Sequence, residues 1–129
     1  MALTRRKKLL KDIDEARRQY IRKRDGKGEY TPCISCGVWS TNLDVGHYWK
    51  RGHDFNTELG GDERNVNLQC VPCNSYKNGN IQGYTVGLIR KYGNDVIEEL
   101  NEKKKKHKYW KITELEEVLE YYKNKLEDL

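Results

Sequence analysis

Cys33-Ile34-Ser35-Cys36-Gly37 and Cys70-Val71-Pro72-Cys73 are two C-x-x-C knuckles separated by 33 residues, and their pairing decides the fold. Each knuckle presents two thiolates about 3.5–4 Å apart at one edge of a tetrahedron, so the pair supplies a four-thiolate site with Zn–S distances of about 2.3 Å. Gly37 allows the tight turn by which backbone N–H groups approach the sulfurs. A closed shell leaves no open coordination position, so a zinc ion there is structural and its binding free energy is folding free energy. A redox C-x-x-C wants one motif at a helix N-terminus in a βαβ context, and paired disulfides are disfavoured in a reducing compartment.

The rest of the composition makes such a metal useful. The chain has 129 residues, the size of one domain. Only 36% of them are hydrophobic, 35% are charged and the mean hydropathy is -1.02, so little apolar material is available for a core. Nine Tyr and three Trp against one Phe and one Met point to a core of amphipathic rings. No apolar run is long enough to span a bilayer, and residues 1–10 lack the apolar segment of a secretory signal, so the expectation is a cytosolic protein.

Outward from the knuckles, the charge is uneven. Residues 1–24 carry ten Lys/Arg (Arg5, Arg6, Lys7, Lys8, Lys11, Arg17, Arg18, Arg22, Lys23, Arg24) against three acids, and a second run covers Lys103 to Lys106 with Lys108 and Lys111. Basic clusters of this kind attract phosphate backbones by counterion release, although a Lys-rich helix face is as often merely solvated. Thr4 to Arg24 has apolar residues at a 3.6-residue period (Leu9, Leu10, Ile13, Ala16, Tyr20, Ile21), which predicts a basic amphipathic helix ended by Asp25-Gly26-Lys27-Gly28. Tyr30 to Asn67 reads as a hairpin of brief strands, and 81–92 and 94–106 as two helices divided by Gly93. Thr113-Glu114-Leu115-Glu116 reads as a capping box opening a last helix. Its apolar positions Leu115, Leu119, Tyr122, Leu126 and Leu129 form a two-heptad seam, either a dimer contact or, more often at this length, packing within the chain.

Between and after the knuckles stand Gly46-His47-Tyr48, Glu63-Arg64-Asn65-Val66-Asn67, Gln69-Cys70, Cys73-Asn74 and Gly79-Asn80, with Leu88-Ile89-Arg90-Lys91-Tyr92-Gly93 downstream. A His at the end of a strand, an Asn five positions before the second knuckle and an Asn directly after it resemble the HNH, or ββα-metal, nucleases in their H-N-N form. Within them, 30–129 resembles the phage NinG/Rap recombination endonucleases, which act on branched DNA such as Holliday junctions.

The resemblance implies an α+β fold in one domain: a basic helix over 1–25, a zinc-knuckle HNH core over 30–80 and a helical segment over 81–129. It implies that His47 is the general base activating water, with Nε2 free to accept the proton because Asn65 holds its Nδ1–H. Asn74 would help bind a catalytic Mg2+ or Mn2+ through its carbonyl oxygen. Many HNH enzymes place a carboxylate immediately before the catalytic His, where this chain has Gly46; Asp44, at the same strand parity, is the candidate second ligand.

Arg5, Arg6, Lys7, Lys8, Arg17, Arg18, Arg51 and Lys77 are the candidate DNA contacts, His53 a DNA-facing loop residue and His107 part of the basic run. Leu59-Gly60-Gly61-Asp62 departs from the Arg-aromatic pair usual in the family, and the cysteine-bearing amino-terminal extension of some relatives is absent, which leaves the added DNA grip to Arg5 to Arg24. Symmetric junction cleavage implies a homodimer through the first or last helix, in the cytoplasm of a phage-infected or prophage-carrying bacterium. The rival readings are a general HNH nicking or double-strand nuclease and a non-catalytic zinc-ribbon DNA-binding module, the latter favoured by Gly46.

Overall fold

Two antiparallel pairs of strands lie between helices. A computed structural model describes residues 3–50 and 54–128. Helix α1 (Arg5–Asp25) starts at Thr4, whose hydroxyl accepts the Lys7 N–H, and ends at Gly26, whose N–H donates to the Arg22 carbonyl. Short strands β1 (Thr31–Pro32) and β2 (Trp39–Ser40) pair around the first knuckle. Strand β3 (Leu43–His47) pairs with β4 (Val66–Cys70), in a register that sets Leu43 opposite Cys70 and His47 opposite Val66. A π-helical turn (Pro72–Tyr76) carries the second knuckle into α2 (Ile81–Tyr92), α3 (Val96–Lys105) and α4 (Ile112–Asp128). The chain is thus a small mixed α+β protein, and no helix among the described residues is long and apolar enough to cross a membrane.

A two-stranded sheet is marginal alone, and here both faces are covered. Val45, Val66 and Leu68 pack with Leu9, Ile13, Ala16 and Tyr20 of α1, which in turn packs on Leu115 and Tyr122 of α4. On the other face the fully buried Tyr84 of α2 donates its hydroxyl to the Gly46 carbonyl at 2.7 Å and joins Tyr48, Leu59, Leu88, Val96 and Leu100 in a second cluster. All of β4 is therefore buried.

Two expectations change. The seam Leu115, Leu119, Tyr122 and Leu126 packs against α1 of the same chain, so it is not free as a dimer contact; Leu129 lies outside the described residues. The last helix begins at Ile112, and the carboxylate of Glu114 accepts the Lys111 N–H at 3.0 Å, so Lys111 rather than Thr113 holds the capping position.

Candidate functional site: the cysteine cluster and the His47 cleft

The four cysteine sulfurs lie within 4.8 Å of one another, with Cys36 and Cys70 Sγ 3.7 Å apart, a separation that fits a tetrahedral four-thiolate shell. Backbone N–H groups of Ser35 and Cys36 donate to Cys33 Sγ, and the Asn80 amide donates to Cys73 Sγ at 3.3 Å. Burial opposes ionisation of Cys33, but the N–H groups aimed at its sulfur outweigh it and lower its pKa, whereas burial pushes Cys70 up to about 12. A bound cation is what lets all four stand as thiolates. The cluster can hold a metal ion such as zinc.

His47 ends β3 and is almost wholly buried. Its Nε2 faces α1, 3.2 Å from Arg17 Nη2 and 3.6 Å from Asp54 Oδ2. Arg17 and Asp54 are themselves buried, 4% and 5% exposed, and their charges meet at 3.0 Å, with Asp14 a further 3.6 Å contact for Arg17. Burial pushes the Asp54 carboxyl up, but the neighbouring His47 ring and the charge of Arg17 hold it below the usual carboxylate range. Among the described residues, the neighbours of its Oδ2 sit at ion-pair distance with no N–H aligned on it. Charge counting along α1 gave no sign of this arrangement, since Asp54 lies 37 positions from Arg17 in sequence.

Several expected roles shift. Arg17 is not a surface cation for DNA; its guanidinium is sealed against Asp54 and His47. Nε2, expected to be the free nitrogen of His47, is the one engaged, which leaves Nδ1 without a partner among the described residues. The Asn65 amide does not hold the ring: its oxygen accepts the Trp49 N–H at 2.9 Å and its NH2 donates to the Trp49 carbonyl at 3.0 Å, so it fixes the chain just after His47.

Asn74 and Asp44 are brought together, the Asn74 amide donating to Asp44 Oδ2 at 3.0 Å. Gly46 has a local reason. A Cβ there would sit 2.2 Å from Oε1 of the fully buried Gln69, whose NH2 donates to Ser35 Oγ and the Gly79 carbonyl.

A cleft of about 730 Å3 opens over His47 and Asn74, rimmed by Arg18, Lys50 and Lys104. Lys104 Nζ lies 3.8 Å from the Trp49 ring centre, a cation–π contact that settles one lysine of the second basic run on the rim. Of the other cations, Arg18 pairs with Asp14 at 3.0 Å, Arg5 with Glu116 at 2.9 Å and Lys8 with Asp12 at 3.3 Å. Arg6 donates to the Trp110 carbonyl, and Lys7 and Lys77 are exposed. Arg51 and His53 lie outside the described residues, and the exposed His107 forms a bridge with Thr57 away from the cleft.

Comparison with known proteins adds a relationship. The family model described as Bacteriophage Lambda NinG protein matches residues 1–129. The chain is 37% identical over 130 residues to Protein ninG of Escherichia phage 933W, an alignment covering 100% of this chain and 62% of that protein. It is 37% identical to Protein ninG of Escherichia phage lambda and 38% to that of Salmonella phage P22, each alignment covering 61% of the relative. The chain thus spans about three fifths of the length of these curated relatives. No solved structure matches it.

Proposed function

The chain belongs to the bacteriophage NinG family, and from that premise we propose that it is a metal-dependent DNA endonuclease of the HNH type that hydrolyses phosphodiesters in branched DNA. The observation that carries this reading is a buried, oriented histidine opening into a cleft whose rim bears Arg18, Lys50 and Lys104.

The Arg17 guanidinium can only donate, so its 3.2 Å contact makes His47 Nε2 the acceptor and puts the ring proton of the neutral imidazole on Nδ1. General-base action by His47 therefore needs the Arg17 contact to open and free the Nε2 lone pair for the proton of an attacking water. Arg17 fixes the Asp54 carboxylate, and the two-bond grip of Asn65 on Trp49 fixes the backbone beyond the ring. Arg18, Lys50 and Lys104 position the phosphates, a job that needs charge but no base reading.

Asp44 and Asn74 would hold a hard divalent cation: the Asn74 NH2 donates to Asp44 Oδ2 at 3.0 Å, so the two side chains meet beside the cleft that Asn74 lines, and turning the amide over would set its oxygen next to the carboxylate. Bound there, Mg2+ or Mn2+ would supply charge stabilisation for the pentacovalent phosphorus and the departing oxygen. The four cysteines hold a structural zinc in this reading. Symmetric cutting of a four-way junction needs two sites and so two copies of the chain, brought together by the DNA, since the α4 seam is occupied.

The test is Mg2+-dependent cleavage of a four-way junction beside linear duplex of matching sequence, with His47→Ala in parallel. Cleavage of the junction that His47→Ala abolishes at unchanged zinc content supports the proposal. Equal cutting of both DNAs moves it to a general HNH nuclease. DNA binding with no cleavage by the wild-type chain favours the zinc-ribbon binding module, the reading for which Gly46 in the carboxylate slot speaks.

A further inference from the structure

A second cleft, of about 410 Å3, lies on the opposite flank of α2. Ile81 lines the His47 cleft and Arg90 lines this one; nine residues on a 3.6-residue helix is half a turn round the axis. Pro32, Ile34 and Leu68 contribute its apolar lining. Trp39 of β2, 58% exposed, stands beside them next to the 60% exposed Val38.

Lys27 and Arg90 complete the lining, and neither side chain has an ion pair or hydrogen bond among the described residues. Asp25, the acid in the cleft, is already held by Arg24 and by Lys91, each at 2.8 Å. The cleft is therefore net positive with its negative charge answered. The aromatic ring is also pre-positioned: β2 is paired with β1, and the Cys33 N–H donates to the Val38 carbonyl at 3.0 Å, so the cysteine cluster fixes the turn that presents Trp39.

An apolar lining, an exposed indole and unopposed cations are what an unpaired nucleotide requires: a π face for the base and positive charge for its phosphate. A duplex hides its base faces in the stack and has no use for the ring. We propose that this cleft binds an unpaired nucleotide of single-stranded DNA, the base stacked on Trp39 and the phosphate at Lys27 and Arg90. The proposal rests on the nucleic-acid part of the reading above and not on catalysis. A DNA carrying both duplex and unpaired segments would engage both flanks of α2.

Fluorescence anisotropy with the zinc-loaded full chain tests it, using a labelled twelve-nucleotide oligothymidylate and a blunt duplex of the same length. Trp39→Ala should weaken oligothymidylate binding about tenfold or more and leave duplex binding and zinc content unchanged, while Trp39→Phe keeps most of the affinity. Arg90→Gln should weaken single-strand binding and lower the slope of log affinity against log salt by about one, and it carries the test alone if Trp39→Ala loses zinc. The proposal is overturned if the wild-type chain does not bind oligothymidylate, if a zinc-loaded Trp39→Ala binds it unchanged, or if duplex binding falls in the same proportion. His47→Ala separates the two readings, since it should bind oligothymidylate like wild type. Trp39-dependent binding without cleavage by the wild type sinks only the nuclease, and cleavage without Trp39 dependence sinks only this cleft.

Discussion

Gly46→Ala replaces one hydrogen by a methyl group, and the site has no room for it. The new Cβ would lie 2.2 Å from Gln69 Oε1 and 3.2 Å from Gln69 Cβ and Cδ. Gln69 is fully buried, so its amide cannot swing into solvent, and moving it breaks the donations to Ser35 Oγ and the Gly79 carbonyl. Each buried hydrogen bond lost with its partner left unsatisfied costs about 1–3 kcal/mol, so the substitution should destabilise the chain by about 2–4 kcal/mol. The double-mutant cycle is more telling than the single variant. Gln69→Ala removes the obstructing amide, so adding Gly46→Ala to it should cost nearly nothing, a coupling of about 2–3 kcal/mol between the two positions. Urea denaturation of the zinc-loaded protein at fixed metal concentration measures all three variants. A Gly46→Ala cost below about 0.5 kcal/mol, or single costs that simply add in the double variant within about 0.5 kcal/mol, refutes the claim that Gln69 excludes a side chain from the position before His47.

Three further outcomes follow from other parts of the molecule. Asp54→Asn leaves the buried Arg17 with only the longer Asp14 ion pair among the described residues, and should cost about 2–4 kcal/mol by urea denaturation, whereas a cost below about 0.5 kcal/mol would refute the dependence of Arg17 on Asp54. Burial pushes the Asp62 carboxyl up, but Arg64 and Lys103 outweigh it and hold the pKa at about 2, below its unfolded value; the resulting stabilisation of about 2 kcal/mol is complete above about pH 5 and is lost as pH falls towards 2, so the stability gap between wild type and Asp62→Asn should close over that window. Removing a metal ion held by the four cysteines should melt more than the knuckles. A Cβ on Gly83 or Gly87 would come within 2.1 Å of the Ser35 or Ile34 carbonyl, so α2 lies directly on the knuckle backbone, and circular dichroism that kept full helix signal after metal removal would contradict this coupling.

The sequence announced its helices where periodicity and end signals agreed: the predicted 81–92 helix is α2 as observed, and α1 differs from expectation by one residue at each end. It was less informative where burial contradicts polarity. Val66-Asn67-Leu68-Gln69-Cys70 alternates like a strand with one wet face, yet Asn67 and Gln69 are fully buried, because Tyr84 donates across that face and Arg24, Lys91 and Ser35 supply the amides with partners. Thr113 and Glu116 stand at capping-box spacing, but the carboxylate that reaches back three residues to a backbone N–H is that of Glu114, on Lys111, while Glu116 pairs with Arg5.

At the candidate site, His47, Asn74 and Asp44 were legible as residue types at telling spacings, and the structure brings the latter two into contact. The Arg17–Asp54 pair was not, since an arginine on a basic amphipathic helix looks the same in sequence whether it faces solvent or a buried aspartate. Lys50 and Lys104 reach one rim only because α3 passes over Trp49.

The clasp between α1 and α4 has a consequence for how the protein comes into being. Synthesis runs from the amino terminus at about 5–20 residues per second, so the residues between Cys70, where the sheet is complete, and Asp128, where α4 closes, take roughly 3–12 s to emerge. During that interval α1 has no Leu115 or Tyr122 to pack against, and the helix that seats Arg17 beside His47 lacks its outer support. Contacts spanning most of the chain form late because their loop-closure entropy is met last. A nascent chain thus carries its cysteine pairs and strands early, and completes the packing behind the helix that faces His47 only when its last helix is made.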